Sequence, residues 1–258
     1  MKIAVCFSGL IRLGVHAAPW LNNFLSGINV DVFMHTWTTT KNKEWHPESK
    51  LYQKNTQIIT EEDSLPLITE FKNKLKHKFI SIQIEDQMVW QKTSIQPHKN
   101  ISPLWYSWYK SVELVKNYEA ECGQTYDIIV KLRPDIVFPY DYRLIDEVEH
   151  FKKNPNIFYA MGYSSIRVDD VVFLANSQNT YVACQLYNWL KKNDLSWTTN
   201  IFGEYLQDSG IQGHSTTRSN YAVIRPENSN CKDFEDVYNT EMDYYAPKSF
   251  TFRMSSVK

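Results

Sequence analysis

Apolar and polar positions come in blocks along the chain, and the first blocks predict a strand, a helix and a second strand. The opening KIAVCFSG is a continuous apolar run that ends in Ser-Gly, as a buried parallel strand does when it opens into a loop. HAAPWLNNFLSG then shows helical spacing and a closing Gly27, and VDVFMHTW is a second apolar run. This β-loop-α-β opening favours a parallel sheet with helices on its faces.

The alternation continues through the rest of the chain. EEDSLPLITEFKNKLKHK predicts a helix, FISIQI a strand, and NISPLWYSWYKSVELVKNYEAECG a long helix that Ser102 caps and Gly123 stops. YDIIVKL, DIVF, NIFYAM, DDVVFLAN and YAVIRPE predict strands, whereas NTYVACQLYNWLKKN and IFGEYLQDSG have helical spacing, the latter ending at Gly210. DVYNTEMDYYAP is too ambiguous for an assignment. We therefore expect an α/β fold.

Length and charge narrow the class of protein. The 258 residues suit one α/β domain, and no composition shift demands a second one. With 28 Lys+Arg against 29 Asp+Glu, the net charge of -1 gives no long-range attraction for nucleic acid or an anionic membrane. No run of about 18 apolar residues predicts a transmembrane segment, and Met1-Lys2 is too short a lead for a signal peptide.

The cysteines and the aromatic residues add two expectations. The four cysteines lie far apart, which predicts neither a zinc cluster nor a disulfide framework and fits a reducing, cytosolic compartment. The chain also has 8 Trp, 16 Tyr and 13 Phe. Most such rings fill cores, but the polar-flanked Trp37, Trp45 and Trp90 could instead stack on a nucleobase or a sugar. Composition alone leaves both interpretations open.

The stretch VKLRPDIVF places two opposite charges around a proline between apolar runs. A strand that leaves the core at Leu132, turns through Arg133 and Asp135, and re-enters at Ile136 would present both charges at the carboxyl edge of the sheet. Ligands of open α/β sheets bind at that edge. The pair could hold a phosphate and its Mn²⁺ or Mg²⁺ ion, or it could be an ion pair that braces a turn.

Several ordered motifs resemble a bacterial and phage-associated group of glycosyltransferases with the GT-A fold. The resemblance rests on CFSGLIR, VFMHTW, SPLWYSWYKSVELVK, YDIIVKLRPDIVF and DDVVFLAN, and it spans roughly Met1 to Arg225. It implies one GT-A-like, Rossmann-like domain over residues 1–258, with a mostly parallel central sheet flanked by helices. The nucleotide-binding part would cover about 1–138 and the acceptor side about 139–258.

The resemblance also implies a metal-binding Asp-x-Asp motif after a central strand. The matching triplet here is Arg133-Pro134-Asp135, so Asp135 would hold the metal that bridges the donor's diphosphate. The first carboxylate has become a guanidinium, which suits a phosphate oxygen through bidentate hydrogen bonds. We therefore expect the protein to depend on a metal. Because Arg133 could replace part of the cation's charge, a metal-independent protein is also left open.

Residues near the first two strands and on the long helix would bind the nucleotide. Gly9 permits close backbone approach, and Arg12 could reach the diphosphate, although Gly9 could equally be a plain turn and Arg12 a surface cation. His35 and Trp37 could line the pocket or simply pack, and Lys110 could be solvated. The full set of expected nucleotide contacts is Phe7, Ser8, Gly9, Arg12, His35, Trp37, Lys110 and Arg133.

Transfer with inversion needs a carboxylate near the anomeric carbon that takes the proton of the acceptor hydroxyl. Transfer with retention would instead need a differently placed nucleophile or front-face attack, and the sequence leaves both outcomes open. The candidates are Asp169, Asp170, Glu204 and Asp208, of which Asp170 and Glu204 are preferred because they follow the metal-type motif in the order of a GT-A acceptor site. Each could instead be a cap or a surface charge. His214, in a Gly-rich loop, is a candidate second metal ligand or a plain loop residue, and Arg218 and Arg225 are further candidate diphosphate contacts.

The resemblance therefore implies a glycosyltransferase of the hexosyltransferase type, which we expect in the cytosol of a bacterium or a phage-infected host. The donor would be a nucleotide sugar, with UDP-sugars favoured, and the acceptor a saccharide or another hydroxyl compound, as in polysaccharide biosynthesis. The alternative is a non-catalytic nucleotide- or carbohydrate-binding protein derived from the same fold. A dehydrogenase or methyltransferase is disfavoured because no G-x-G-x-x-G follows the first strand.

Overall fold

The secondary structure alternates between strands and helices along the chain. A computed structural model describes residues 1–11, 13–38, 61–87, 89–90, 102–161, 168, 171–193, 201–218, 221–223 and 233–245. Its strands are β1 Ile3–Ser8, β2 Asp31–Trp37, β3 Lys78–Glu85, β4 Ile128–Leu132, β5 Ile136–Val137, β6 Phe158–Ala160, β7 Phe173–Ala175, β8 Gly213–Ser215 and β9 Ala222–Val223. Its helices are α1 Gly14–Phe24, α2 Glu61–Leu75, α3 Ser102–Cys122, α4 Leu144–Phe151, α5 Ser177–Ala183, α6 Leu186–Asn193, α7 Ile201–Asp208 and α8 Phe234–Tyr245.

A mostly parallel sheet forms the centre of the molecule. In the described residues it has seven strands in the order β3-β2-β1-β4-β7-β6-β8. β7 runs antiparallel to both of its neighbours, and the other strand pairs are parallel. The predicted α/β class, with a mostly parallel central sheet flanked by helices, is confirmed. The short DIVF strand also forms, but it pairs with β9 in a separate two-stranded sheet.

The apolar runs are continuous because the sheet is covered on both faces. On β1, Val5 and Phe7 belong to one core layer, while Ala4 and Cys6 belong to the other. Buried residues of α1, α2, α4 and α8 complete the first layer, and those of α3, α5, α6 and α7 complete the second. Helices therefore cover both faces of the central strands. Polar side chains can reach solvent mainly at the ends of these strands.

Three segments differ from their sequence-based expectation. NTYVACQLYNWLKKN forms two helices, α5 and α6, rather than one, with Cys184 as the C-cap residue of α5. The predicted loop around His214 contains the short strand β8, which pairs with β6. The unassigned tail contains α8, whose first turn is capped by Asp233 through the N–H of Asp236 (2.9 Å).

The predicted helix ends are accurate where glycine marks them. Gly27, Gly123 and Gly210 all have positive φ, at 77°, 63° and 71°, and each lies just after a helix. None of the helices in the described ranges is both long enough and apolar enough to cross a bilayer.

Candidate functional site

The expected nucleotide contacts gather at the carboxyl ends of the parallel strands β1 to β4. The register pairs Ser8 with His35, and Trp37 with Glu85 on β3. Phe7 pairs with Leu132, the last residue of β4 before Arg133. The fold thus brings the turn after β1, the end of β2 and the Arg133-Pro134-Asp135 turn to one edge of the sheet. This edge is where open α/β sheets bind ligands.

Arg133 and Asp135 form a two-pronged ion pair. Nε of Arg133 donates to Oδ1 of Asp135 at 2.9 Å, and Nη2 donates to Oδ2 at 2.9 Å. The carboxylate side chain is only 3% exposed, whereas the guanidinium side chain is 25% exposed. A ligand arriving from solvent would therefore meet the cation of this pair before the anion.

The same turn packs against the beginning of helix α1. A Cβ atom placed on Gly14 would lie 3.0 Å from the carbonyl oxygen of Pro134 and 3.2 Å from its Cβ, so the contact depends on glycine at this position. The first turn of α1 has no acidic residue, and its N-cap residue Leu13 makes no side-chain capping bond. The positive end of the helix dipole therefore lies beside the Arg133 turn, and the first turn of α1 has no carboxylate to neutralise it.

Gly9 begins a turn that is held from inside the protein. Its φ of 112° is in the region that favours glycine. Its N–H donates to Oγ of Ser107 at 2.8 Å and also lies 3.3 Å from the carbonyl oxygen of His35. The sequence suggested that backbone N–H groups of this turn face a ligand, but the N–H of Gly9 is engaged with helix α3 and strand β2.

His35 is a buried, structurally engaged histidine. Its Nδ1 lies 2.9 Å from Oγ of Ser107, which also donates to the His35 carbonyl oxygen at 3.1 Å. Its Nε2 faces Oε1 of Glu85 at 3.7 Å, beyond hydrogen-bond length. Burial lowers the pKa of His35 below its usual value, against the opposing effect of Glu85. The proximity of His35 is also the main cause that lowers the pKa of Glu85.

An aromatic cluster covers this histidine. Trp37 is buried and stacks on Tyr106 with ring centroids 5.5 Å apart and an interplanar angle of 26°. Trp90 lies 5.5 Å from Trp37 and 5.1 Å from Tyr106. Tyr106 also donates its hydroxyl to Glu85 at 2.9 Å. These contacts support the packing interpretation of Trp37, while Trp45 lies outside the described residues.

Three more of the expected contacts have defined surroundings. Phe7 is buried in the core and meets Phe71 edge-on at 5.4 Å. The Oγ of Ser8 is fully buried and has no hydrogen-bond partner among the described residues. Lys110 pairs with Glu113 at 3.0 Å on the partly exposed side of α3. Arg12 lies outside the described residues, and so do Asp169, Asp170 and Arg225.

The expected acceptor-side residues lie on other elements. His214 is exposed on β8, where its Nδ1 contacts the Ser215 carbonyl oxygen at 3.0 Å. Because β8 is three strands from β4 in the sheet, the two strands are about 14 Å apart at about 4.8 Å a step. Glu204 and Asp208 are exposed on α7. The exposed Arg218 pairs with Asp141 at 2.7 Å, and this hydrogen bond lowers the pKa of Asp141.

Sequence reasoning missed Glu85, Ser107 and Glu147. Glu85 ends β3 one residue beyond the predicted strand, and Ser107 contacts a glycine 98 residues earlier, so only the fold reveals their roles. Glu147 is buried and accepts from the Tyr142 hydroxyl at 2.9 Å, the Thr217 N–H at 3.0 Å and the Thr217 hydroxyl. No helix was predicted over Leu144–Phe151, so Glu147 was not expected to be buried.

A divalent metal fits these residues poorly. Both oxygens of Asp135 already accept from a guanidinium, and the carboxylate is shielded from solvent. Within the described ranges no group of three His, Cys, Asp or Glu side chains is placed to hold an ion. A metal at Asp135 would have to share the carboxylate with Arg133, and the two cations would repel each other.

Comparisons with known proteins give structural neighbours only. No family model and no curated protein matches the chain. Mouse xyloside xylosyltransferase 1 is 10% identical, with 83% of this chain and 84% of that chain covered and a TM-score of 0.44. The nucleoside-diphosphate-sugar pyrophosphorylase of Vibrio cholerae RC9 is 10% identical, with 86% and 95% covered and a TM-score of 0.44.

A third neighbour is the glycosyltransferase GlyE of Streptococcus pneumoniae TIGR4. It is 12% identical, covers 83% of this chain and 44% of its own length, and has a TM-score of 0.40. These identities and TM-scores are low, so the neighbours do not show the function of this chain.

Proposed function

We propose that the protein is a glycosyltransferase that moves a sugar from a nucleotide-diphospho-sugar to a hydroxyl acceptor. We favour a UDP-sugar donor, a saccharide acceptor as in polysaccharide assembly, and the cytosol as compartment. The free thiols of Cys6, Cys122 and Cys184 accord with a reducing compartment. The proposal also agrees with the motif resemblance, in which the triplet after the central strand faces the donor's diphosphate.

The observation that carries the proposal is the position of Arg133. It follows β4, the strand next to β1 in the sheet, and emerges at the ligand-binding edge with a quarter of its side chain exposed. Asp135 fixes two of its five N–H donors in a plane, which orients the guanidinium. An oriented guanidinium is well suited to a diphosphate, because its donors match pairs of phosphate oxygens.

The reaction needs a base, an acceptor and a stabilised leaving group. The acceptor oxygen forms a bond to the anomeric carbon, and the bond from that carbon to the diphosphate oxygen breaks, leaving its electron pair on the phosphate. The acceptor proton passes to a carboxylate, for which Asp170 and Glu204 are the candidates. Arg133 stabilises the negative charge that grows on the leaving diphosphate.

Calorimetric titration with UDP, UDP-glucose, UDP-galactose and GDP-mannose tests the donor class. We expect one nucleotide to bind more tightly than the others, and the matching sugar nucleotide to release its nucleoside diphosphate when saccharide acceptors are added. If none of these compounds binds, the proposed function is wrong. If one binds and no acceptor supports turnover, the non-catalytic binding protein becomes the better interpretation.

Carboxylate variants test the assignment of the base. Glu204→Gln and Asp170→Asn should be compared with Glu149→Gln, which changes an exposed glutamate on α4 that has no proposed role in the reaction. We expect the base variant to lose about a hundredfold or more in turnover with little change in donor affinity. Equal turnover in Glu204→Gln, Asp170→Asn and Glu149→Gln would remove both candidates.

A further inference from the structure

We infer that the diphosphate is held without a divalent metal, by the Arg133 guanidinium at the positive end of helix α1. This inference rests on the proposed function, because it concerns how the same site binds the donor. It departs from the sequence-based expectation that Asp135 carries Mn²⁺ or Mg²⁺. In this chain the carboxylate instead serves to orient the cation that replaces the metal.

The first argument is the accessibility of the two charges. The Asp135 side chain is 3% exposed, and both of its oxygens accept hydrogen bonds from Arg133. The Arg133 side chain is 25% exposed. A metal that bridges protein and diphosphate needs a carboxylate oxygen facing the ligand. The pair presents the opposite arrangement, since the buried partner is the anion and the reachable partner is the cation.

The N-terminal end of the neighbouring helix α1 carries a partial positive charge. Pro134 touches the first residue of α1, with 3.0 Å between its carbonyl oxygen and the position of a Cβ on Gly14. The first turn of α1 carries no acidic residue. The N–H groups of Gly14 and His16 are used locally, on Ile11 and Leu13, so the helix contributes mainly its dipole. A positive helix end stabilises a phosphate and repels a divalent cation.

Together the two features make the edge of the sheet attractive to an anion. The Arg133–Asp135 pair is close to neutral as a whole, but its charges are arranged with the guanidinium outward and the carboxylate inward. The helix end adds positive potential on the same turn. The role of the pair in transfer is to keep this positive charge fixed in place while the electron pair of the breaking bond moves onto the phosphate.

The experiment is calorimetric titration of the full chain with UDP and GDP, once with EDTA and once with Mn²⁺. The titrations are repeated on Arg133→Lys, which keeps the charge and loses the planar fork, and on Arg133→Gln. Arg143→Lys is the matched control, because Arg143 is exposed at the start of α4 and has no part in the site. Circular dichroism establishes that each variant is folded. If Arg133→Gln does not fold, Arg133→Lys and the two wild-type titrations still decide the result.

We expect one nucleoside diphosphate to bind equally well with EDTA and with Mn²⁺. We also expect Arg133→Lys to weaken that binding at least about tenfold and Arg143→Lys to leave it unchanged. If Mn²⁺ raises the affinity about tenfold or more and Asp135→Asn abolishes the gain, the inference is overturned while the proposed function stands. Unchanged binding in both Arg133 variants also overturns it. Absence of binding under both conditions overturns the proposed function, and the inference with it.

A measurement with the metal alone provides an independent readout. Mn²⁺ added to the wild type and to Asp135→Asn can be followed by the electron paramagnetic resonance signal of the free ion. We expect the two proteins to leave the same amount of free Mn²⁺. Binding by the wild type that disappears in Asp135→Asn would show that the carboxylate is available to a metal, against the inference.

Discussion

Asp135 and Glu147 are the two buried carboxylates in the described part of the chain, and they are stabilised in opposite ways. Asp135 is paired with a cation, the partly exposed Arg133. Glu147 is surrounded by neutral donors, the Tyr142 hydroxyl and the N–H and hydroxyl of Thr217. Asp135 lies at the carboxyl edge of the sheet, and Glu147 joins α4 to the segment after β8.

The contrast is between a carboxylate held by neutral donors and one that orients a cation. Glu147 joins the buried Tyr142 to the exposed Thr217, and burial with this carboxylate nearby also raises the pKa of Tyr142. The bonds of Asp135 orient a group that reaches solvent. Both carboxylates avoid the cost of a buried polar group without partners, but of the two only Asp135 fixes the orientation of a cationic side chain.

Asp135→Ala should have the largest effect. Removing one partner of a largely buried pair leaves Arg133 poorly solvated, and we expect a loss of about 3 kcal/mol in the free energy of unfolding. Urea denaturation measures the loss. The double variant Arg133→Met with Asp135→Leu should recover much of this stability, since it removes both charges, but it should not bind nucleotide. A cost below about 1 kcal/mol for Asp135→Ala would mean that the pair contributes little to folding.

Glu147→Gln should destabilise the protein by about 2 kcal/mol, because hydrogen bonds to an ionised acceptor are replaced by weaker ones. Nucleotide affinity should stay at the wild-type value. The two measurements, urea denaturation and calorimetry, separate stability from binding. A fall in UDP affinity comparable to that of the Arg133 variants would remove the distinction between the two carboxylates.

Gly14→Ala perturbs the Asp135 turn without touching either carboxylate. The added Cβ would meet the Pro134 carbonyl oxygen at 3.0 Å, so we expect a loss of about 1–2 kcal/mol and weaker nucleotide binding. Gly203→Ala is the matched control, because its Cβ on helix α7 would meet only Val168 at 3.7 Å. That change should raise stability by about 1 kcal/mol through helix propensity. Equal effects of the two substitutions would contradict the close-contact argument.

His35 is another buried ionisable group, and unlike Asp135 it has no hydrogen-bonded ionic partner among the described residues. Its pKa is lowered in the folded protein, so below about pH 6.5 the unfolded chain binds a proton first and stability falls as pH decreases. The lowered pKa of Glu85 acts in the same direction at lower pH. His35→Asn should flatten the decline by up to about 1.4 kcal/mol per pH unit.

Thermal unfolding between about pH 7 and pH 5 measures that decline. His77→Asn is the comparison, because burial also lowers the pKa of His77, so this variant should flatten the decline without involving Glu85. An unchanged pH profile in His35→Asn would show that folding does not lower the pKa of His35.

Much of the fold could be predicted from local pattern, since each apolar run marked a strand or a helix face. The predictions failed where the pattern was short or mixed. Gly213–Ser215 becomes a strand only because β6 offers it backbone partners, and Phe234–Tyr245 becomes a helix whose Phe234 and Val237 join the core. The Arg133-Pro134-Asp135 turn was recognised because charged residues interrupt an apolar run.

Sequence by itself determined the α/β class, the helix ends at glycine and the candidate turn after β4, because these depend on hydrophobic spacing and on backbone chemistry within a few residues. Tertiary structure alone decided which charge of the turn meets solvent, that the beginning of α1 lies beside this turn, and that Ser107 accepts from the Gly9 N–H. Those outcomes depend on contacts between residues far apart in the chain, since Gly14 packs against Pro134, 120 positions later. Local pattern carries no information about such contacts.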